Sequence, residues 1–210
     1  MSSTDLIIVV GRQFGSGGRR IGKALAEAFG LEYYDKEVLS EAARQFGYSP
    51  DIFARYDERR PSPLRSLFSN AFGVADSYEN SMSSEGIYER QSRVIRKLAE
   101  KSGCVFVGRS ADYILRDHPR LVSVFLHAPI DKRAEAIVAR GDAPSIEKGM
   151  DMARRLDSNR ENFYNYFAGD GWGRADNYHL SLDSALLGYE GTLDVIRNFI
   201  RNRFGDVEKF

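Results

Sequence analysis

The chain has 210 residues, enough for one sizeable α/β domain with a full core. The 30 Lys and Arg balance the 30 Asp and Glu, so the net charge is zero, which argues against broad electrostatic capture of nucleic acid or of an anionic membrane. A single cysteine, Cys104, excludes an intramolecular disulfide. With no stretch that has the flanks of a signal peptide or the length of a membrane span, the expectation is a soluble cytoplasmic protein.

In chain order, "LIIVV" (6–10) is a short apolar run rich in β-branched residues, followed by glycine, which predicts a buried parallel strand. "RRIGKALAEAFG" (19–30) reads as a helix with Ile21, Leu25, Ala28 and Phe29 on one face and Gly30 as C-cap. "LEYYD" (31–35) predicts a second strand, and a helical pattern follows from Lys36 to about Phe46. Residues 47–86, with two prolines in "RRPSPLRSLFSN" and the serine-rich "SYENSMSSEG", predict short helices and loops. Helical periodicity returns in "IYERQSRVIRKLAEKSG". "CVFVG" (104–108) and "LVSVFLHA" (121–128) predict buried strands, with Cys104 as a core residue. "PIDKRAEAIVAR" and "SIEKGMDMARRLDSNRENFYNYF" are helical, "YHLSLDS" (178–184) predicts the last strand, and "GYEGTLDVIRNFIRNRF" closes the chain as a helix. Strands alternating with helices imply crossover connections and a parallel sheet. Ligands of such sheets sit beyond the carboxyl ends of the strands. Three polar clusters fall there: "GRQFGSGGRR", "YYDK" and "GRSAD".

The first cluster is a glycine loop between a strand and a helix. Such a turn presents backbone N–H groups and the positive end of a helix dipole, which suits phosphate. Gly15, Gly17 and Gly18 allow close approach to an anion, Ser16 lies inside the loop, and Arg12, Arg19 and Arg20 add three cations. A standard phosphate-binding loop reads G-x-x-x-x-G-K-[ST]. Here Gly17 is followed by Gly18, Arg19 and Arg20, with neither the lysine nor the hydroxyl residue.

With the later segments, the sequence resembles the cytidylate kinase-like family, relatives of the bacterial cytidylate kinases. The resemblance runs from "VVGRQFGSGGRRIGKALAEAFGLEYYDKEVL" to "YHLSLDSALLGYEGTLDVI". It implies a single P-loop kinase-like α/β domain over 1–210: a parallel sheet of about five strands wrapped by helices, an acceptor-binding insertion near 36–100 and a helical lid near 140–176. It also implies transfer of the ATP γ-phosphoryl group, with Mg²⁺, to a nucleoside monophosphate such as CMP. "GSGG" (15–18) then occupies the phosphate loop, and "YYD" ending at Asp35 opens the acceptor region. "GRSAD" (108–112) supplies the acceptor-phosphate arginine, Arg109. "RRLDSNR" (154–160) resembles the lid helix whose arginines, Arg155 and Arg160 with Arg154 beside them, meet the transferring phosphates, with Asp157 orienting one of them. The chain departs from the relatives at Gly18, which stands in the place of the catalytic lysine, and at Arg20, in the place of the metal-binding hydroxyl. It also lacks an arginine between Asp35 and Arg44.

Phosphoryl transfer depends on positioning and charge neutralisation. Arginine forks suit phosphate oxygens, so Arg19 or Arg20 can stand in for the lysine, with Arg19 expected to point into the loop. Asp35 and Asp112 are the carboxylates placed to bind the acceptor or Mg²⁺, Asp35 first, with a helix N-cap as the alternative role. Trp172 in "GDGWGR" sits in a loop able to close over a ligand. Two further functions stay open: a nucleotide-binding module without catalysis, favoured by the altered loop, and a kinase for another small acceptor.

Overall fold

The computed structural model describes residues 5–48 and 84–205. The expectation of short helices and loops over 47–86, and with it most of the expected acceptor-binding insertion, therefore lies largely outside the described residues. Five strands form one parallel sheet: β1 (Ile7–Arg12), β2 (Glu32–Tyr34), β3 (Cys104–Val107), β4 (Leu121–His127) and β5 (Leu180–Asp183), in the order β2-β3-β1-β4-β5. The helices are α1 (Gly18–Phe29), α2 (Lys36–Gln45), α3 (Ser84–Lys101), α4 (Ala111–Ile114), α5 (Ile130–Ala139), α6 (Ile146–Ala168) and α7 (Ser184–Phe204). Among the described residues no helix is long and apolar enough to cross a membrane.

The apolar runs are continuous because both faces of the sheet are covered. Ile7 and Val9 face α2, α3 and α4 through Leu39, Ile95, Leu98 and Ile114. Leu6, Ile8 and Val10 face α1 and α7 through Ile21, Leu25, Phe29, Ile196 and Ile200. Alternate residues of one strand thus serve two half-cores, as the period of two requires. Cys104 lies in the first half-core, and burial pushes its thiol up to about 12, so it stays a neutral packing group. A third, smaller cluster of Ile137, Ala143 and Ala153, with Phe14 against it, joins α5 to α6.

The boundaries follow local chemistry. Gly30 closes α1 in the left-handed region and returns its N–H to Ala26 and Glu27. Asp35 caps α2, and Ser145 caps α6. The closing helix was expected from Gly188. The structure starts it at Ser184 with a break at Gly188 (φ 67°), so the expected start survives as a kink. The four-residue α4 was not expected, since "ADYI" is too short for periodicity to reveal.

Candidate active site

β1 is the central strand, so the loop leaving it lies at the middle of the sheet's carboxyl edge. There it meets the loop after β3 and the face of α6. Gly11, Arg12, Gly108, Arg109, Asp112, Asn159, Arg160 and Tyr164 all line one cleft, with Trp172 at its wall. Sequence reasoning had assigned Arg12 and Arg160 to phosphate, Arg109 to the acceptor phosphate and Asp112 to the acceptor or Mg²⁺, and the fold brings these four together.

The glycine loop is built for close approach. Gly15 (φ 90°) abuts the Arg133 backbone of α5, where an added Cβ would sit 2.8 Å from the Arg133 carbonyl oxygen. Gly17 (φ 84°) is the N-cap of α1 and contributes no side-chain cap, so the first N–H groups of α1 stay available to an anion. Among the described residues, the only backbone bond made by an N–H of the 15–20 loop is a long one of 3.4 Å from Ser16 to Gln13. Ser16 itself is buried. Its hydroxyl is 2.9 Å from the Gln13 carbonyl and 3.1 Å from that of Leu126, and the Ser184 hydroxyl donates to its carbonyl. Ser16 therefore holds the loop to β4.

The two arginines after the glycines do not turn into the loop. Arg19 donates to both carboxylate oxygens of Glu37 at 2.7 Å and lies 3.8 Å from Asp35. The Arg20 guanidinium stacks 3.7 Å over the Tyr189 ring. Being at the first turn of a helix, both project outward along its flank toward partners on α2 and α7. The expectation of an inward Arg19 is corrected accordingly. The cation that does cross the loop is Arg12, from the end of β1. Its stem passes Gly18, whose added Cβ would stand 2.7 Å from the Arg12 Cγ, and its guanidinium lies over Gly108.

Arg109 and Ser110 follow Gly108 with φ values of 63° and 51°. Two consecutive non-glycine residues in the left-handed region are costly, on the order of 1–3 kcal/mol each, and persist where surrounding structure over-determines them. Asp112, in the same segment, is buried and accepts a 2.8 Å hydrogen bond from the Tyr164 hydroxyl of α6. Burial pushes its carboxyl above the usual range, against that hydrogen bond. The native state thus binds this proton more readily than the unfolded chain, so stability is lost as pH rises from about 3.8 through the raised folded value. Asp112→Asn keeps an acceptor for Tyr164 and removes the titration. Denaturant midpoints at pH 4 and pH 8 should show the variant gaining on the parent at the higher pH. Equal differences at both pH values would count against this burial cost.

Asp35 is not arranged as a metal ligand. One carboxylate oxygen accepts from the Glu37 and Val38 N–H groups and the other faces the Tyr33 hydroxyl at 3.2 Å. Burial opposes its ionisation, but the Val38 N–H, the Arg19 guanidinium and these other bonds hold its carboxyl below the usual range. It is the helix cap of the alternative reading, and a guanidinium beside it competes with any cation. Among the described residues no group of three His, Cys, Asp or Glu could cage a metal ion.

On α6 the arginines part company. Arg160 lines the cleft, donates to the Arg12 carbonyl at 3.3 Å and lies 3.7 Å from Asp157. Arg155 is exposed and is not among the residues that line the cleft. Arg154 pairs at the surface with Asp151.

Asp157 is the anchor. It accepts from the Phe14 N–H at 2.6 Å and from Arg133 at 2.5 Å, which joins α6 to the glycine loop and α5. Arg133 was missed by sequence reasoning. It is buried and donates also to the carbonyls of Ala128 and Phe14. The signal lay in "PIDKRAEAIVA", where Arg133 sits three residues after Ile130 and four before Ile137, on the helix's apolar stripe. Trp172 packs edge-on to Phe125 at 5.2 Å, and its backbone N–H donates to the Asn165 side-chain oxygen at 3.1 Å. It forms a held wall of the cleft.

A model of the cytidylate kinase-like family matches residues 7–186. The chain belongs to that family. Cytidylate kinases of Pyrococcus horikoshii and Thermococcus sibiricus are 25% and 26% identical, over 94% and 98% of this chain and 89% and 93% of theirs. A solved structure of an uncharacterised protein from Eubacterium ventriosum is similar with a TM-score of 0.71 and 26% identity, covering 94% of this chain and 99% of that one. Shikimate kinase from Acinetobacter baumannii, in complex with shikimate, shares the fold at a TM-score of 0.52 and 19% identity, with 97% of each chain covered. The gluconokinase from Sinorhizobium meliloti 1021 shares it at 0.53 and 15%, covering 97% of this chain and 98% of its own. The fold of this cytidylate kinase-like protein is that of the P-loop kinases.

Proposed function

We propose that the protein transfers the γ-phosphoryl group of ATP to the phosphate of a small acceptor, a nucleoside monophosphate such as CMP. The observation that carries this reading is the convergence of Arg12, Arg109 and Arg160 on one cleft beside the uncapped N-terminus of α1. Three cations lining one cleft suit two phosphorylated ligands brought end to end. The curated relatives named cytidylate kinase support the nucleotide acceptor.

In this reading an oxygen of the acceptor phosphate attacks the γ-phosphorus, and the bond from that phosphorus to the β,γ-bridging oxygen breaks. ADP leaves with the electron pair, and a new phosphoanhydride forms. An acceptor phosphate is largely dianionic at neutral pH, since its second pKa is about 6, so no base is required. The α1 N–H groups hold the donor phosphates, and Arg160 and Arg12 offset charge on the transferring group. Arg109 holds the acceptor phosphate. The family and fold imply Mg²⁺ with the nucleotide. The described residues offer it no protein cage, and a magnesium ion that keeps its waters and binds phosphate oxygens needs none.

Purified protein with ATP, Mg²⁺ and a panel of nucleoside monophosphates should form ADP in an acceptor-dependent manner. Arg109→Ala should raise the acceptor KM by about 10- to 100-fold, as loss of a charge-assisted contact does, while ATP affinity changes little. Equal weakening of both ligands, or unchanged turnover, would remove Arg109 from the acceptor role. ATP binding without transfer to any acceptor would make the protein a binding module.

A further inference from the structure

We propose that Arg12 is the phosphate-clamping cation of this loop and that Gly18 is glycine because the Arg12 side chain occupies its side-chain space. The inference deepens the kinase reading and rests on it for the identity of the ligand, a nucleoside triphosphate.

A standard loop places a lysine directly after its last glycine, which here is position 18. A side chain at 18 cannot coexist with Arg12. Its Cβ would lie 2.7 Å from the Arg12 Cγ and 3.0 Å from its Cβ. On the opposite wall Gly108 is glycine for its backbone (φ 74°), and the Arg12 Nη1 stands 1.6 Å from where its Cβ would be. The guanidinium is therefore threaded between the two walls of the cleft, over the central strand and beside Arg109 and Arg160. Its own carbonyl is held by Arg160 and the next turn of chain by Gln13 and Ser16, so the residue that bears the charge is fixed at both ends. Arg19 and Arg20 are engaged elsewhere. A cation delivered from the strand, in place of one delivered from the helix, accounts for the absence of the lysine.

The test uses the full-length protein and calorimetric binding of inorganic tripolyphosphate, which has no base, alongside Mg–ADP. Arg12→Ala should weaken tripolyphosphate roughly 10- to 100-fold. Arg12→Gln, which keeps the stem, should do the same should the alanine variant fold poorly. Gly18→Lys alone should bind no better than Arg12→Ala, because lysine and Arg12 compete for one space. Arg12→Ala/Gly18→Lys should bind at least about tenfold tighter than Arg12→Ala, since the standard cation then has room. Parent-like tripolyphosphate binding by Arg12→Ala and Arg12→Gln, or a double variant no tighter than Arg12→Ala, overturns the proposal. Both measurements stand if the parent protein phosphorylates no acceptor, in which event only the kinase reading falls.

Discussion

Asp157→Ala should lower the melting temperature of the protein by roughly 6–20 °C. Arg133 is buried, and Asp157 is its carboxylate partner. Breaking a buried pair from one side costs about 3–5 kcal/mol because the remaining charge is left uncompensated. For a chain of this size each kcal/mol shifts the midpoint by about 2–4 °C. The Phe14 N–H loses its acceptor in the same substitution, which adds to the loss. Burial pushes the Asp157 carboxyl above the usual range, against the Phe14 N–H, Arg133 and Arg160, so the pair carries a desolvation cost. For that reason Arg133→Met/Asp157→Leu should recover most of the stability, since apolar groups of similar volume remove the cost along with the pair. The double variant should nevertheless turn over more slowly, because Phe14 is no longer tied to α6. A midpoint lowered by less than about 3 °C in Asp157→Ala would show that water reaches Arg133 and that the pair is not the anchor.

Arg160→Ala should lower kcat by about 10²–10³, the range seen when one preorganised donor to a developing charge is removed. Its guanidinium is placed by the Arg12 carbonyl and by Asp157, and it lines the cleft where donor and acceptor phosphates would meet. The fold should survive, because Arg160 is only part-buried and Asp157 keeps Arg133 and Phe14. The ATP KM should move less than kcat, since the α1 N–H groups remain. Arg160→Lys should recover only part, as an ammonium lacks the fork. Arg154→Ala, at the surface beside Asp151, should change kcat little. Steady-state kinetics of the three variants decides the matter. A kcat for Arg160→Ala within twofold of the parent would leave Arg160 a structural link between α6 and β1.

The fold class and most elements were legible because burial on both faces writes itself as unbroken apolar runs. "LIIVV", "CVFVG" and "LVSVFLHA" each became a strand with the expected core, and the glycine loop fell where a ligand of a parallel sheet must sit. Local chemistry was legible too: Gly30 as a C-cap, and Asp35 as an N-cap among its alternatives. The family resemblance pointed to the segments holding Arg109 and Arg160.

Which arginine crosses the loop was not legible, because spacing along the chain does not say which side chain owns a volume. Arg12 and Gly18 are six residues apart, and Gly108 lies far from both. Only the parallel pairing of β1 with β3 puts Gly108 beside Arg12. Arg19 was favoured over Arg20 only because it follows the glycines most closely, until α2 and α7 supplied Glu37 and Tyr189 as their partners. Arg133 stood on an apolar stripe with no partner visible along the chain until α6 brought Asp157 against it. By itself the sequence determined where the chain is apolar, where it turns and where a glycine loop gathers positive charge, since these are local properties of residues. The tertiary structure decided which charges share the cleft and which are neutralised elsewhere, since ion pairing and excluded volume act between segments that only folding brings within a few ångströms.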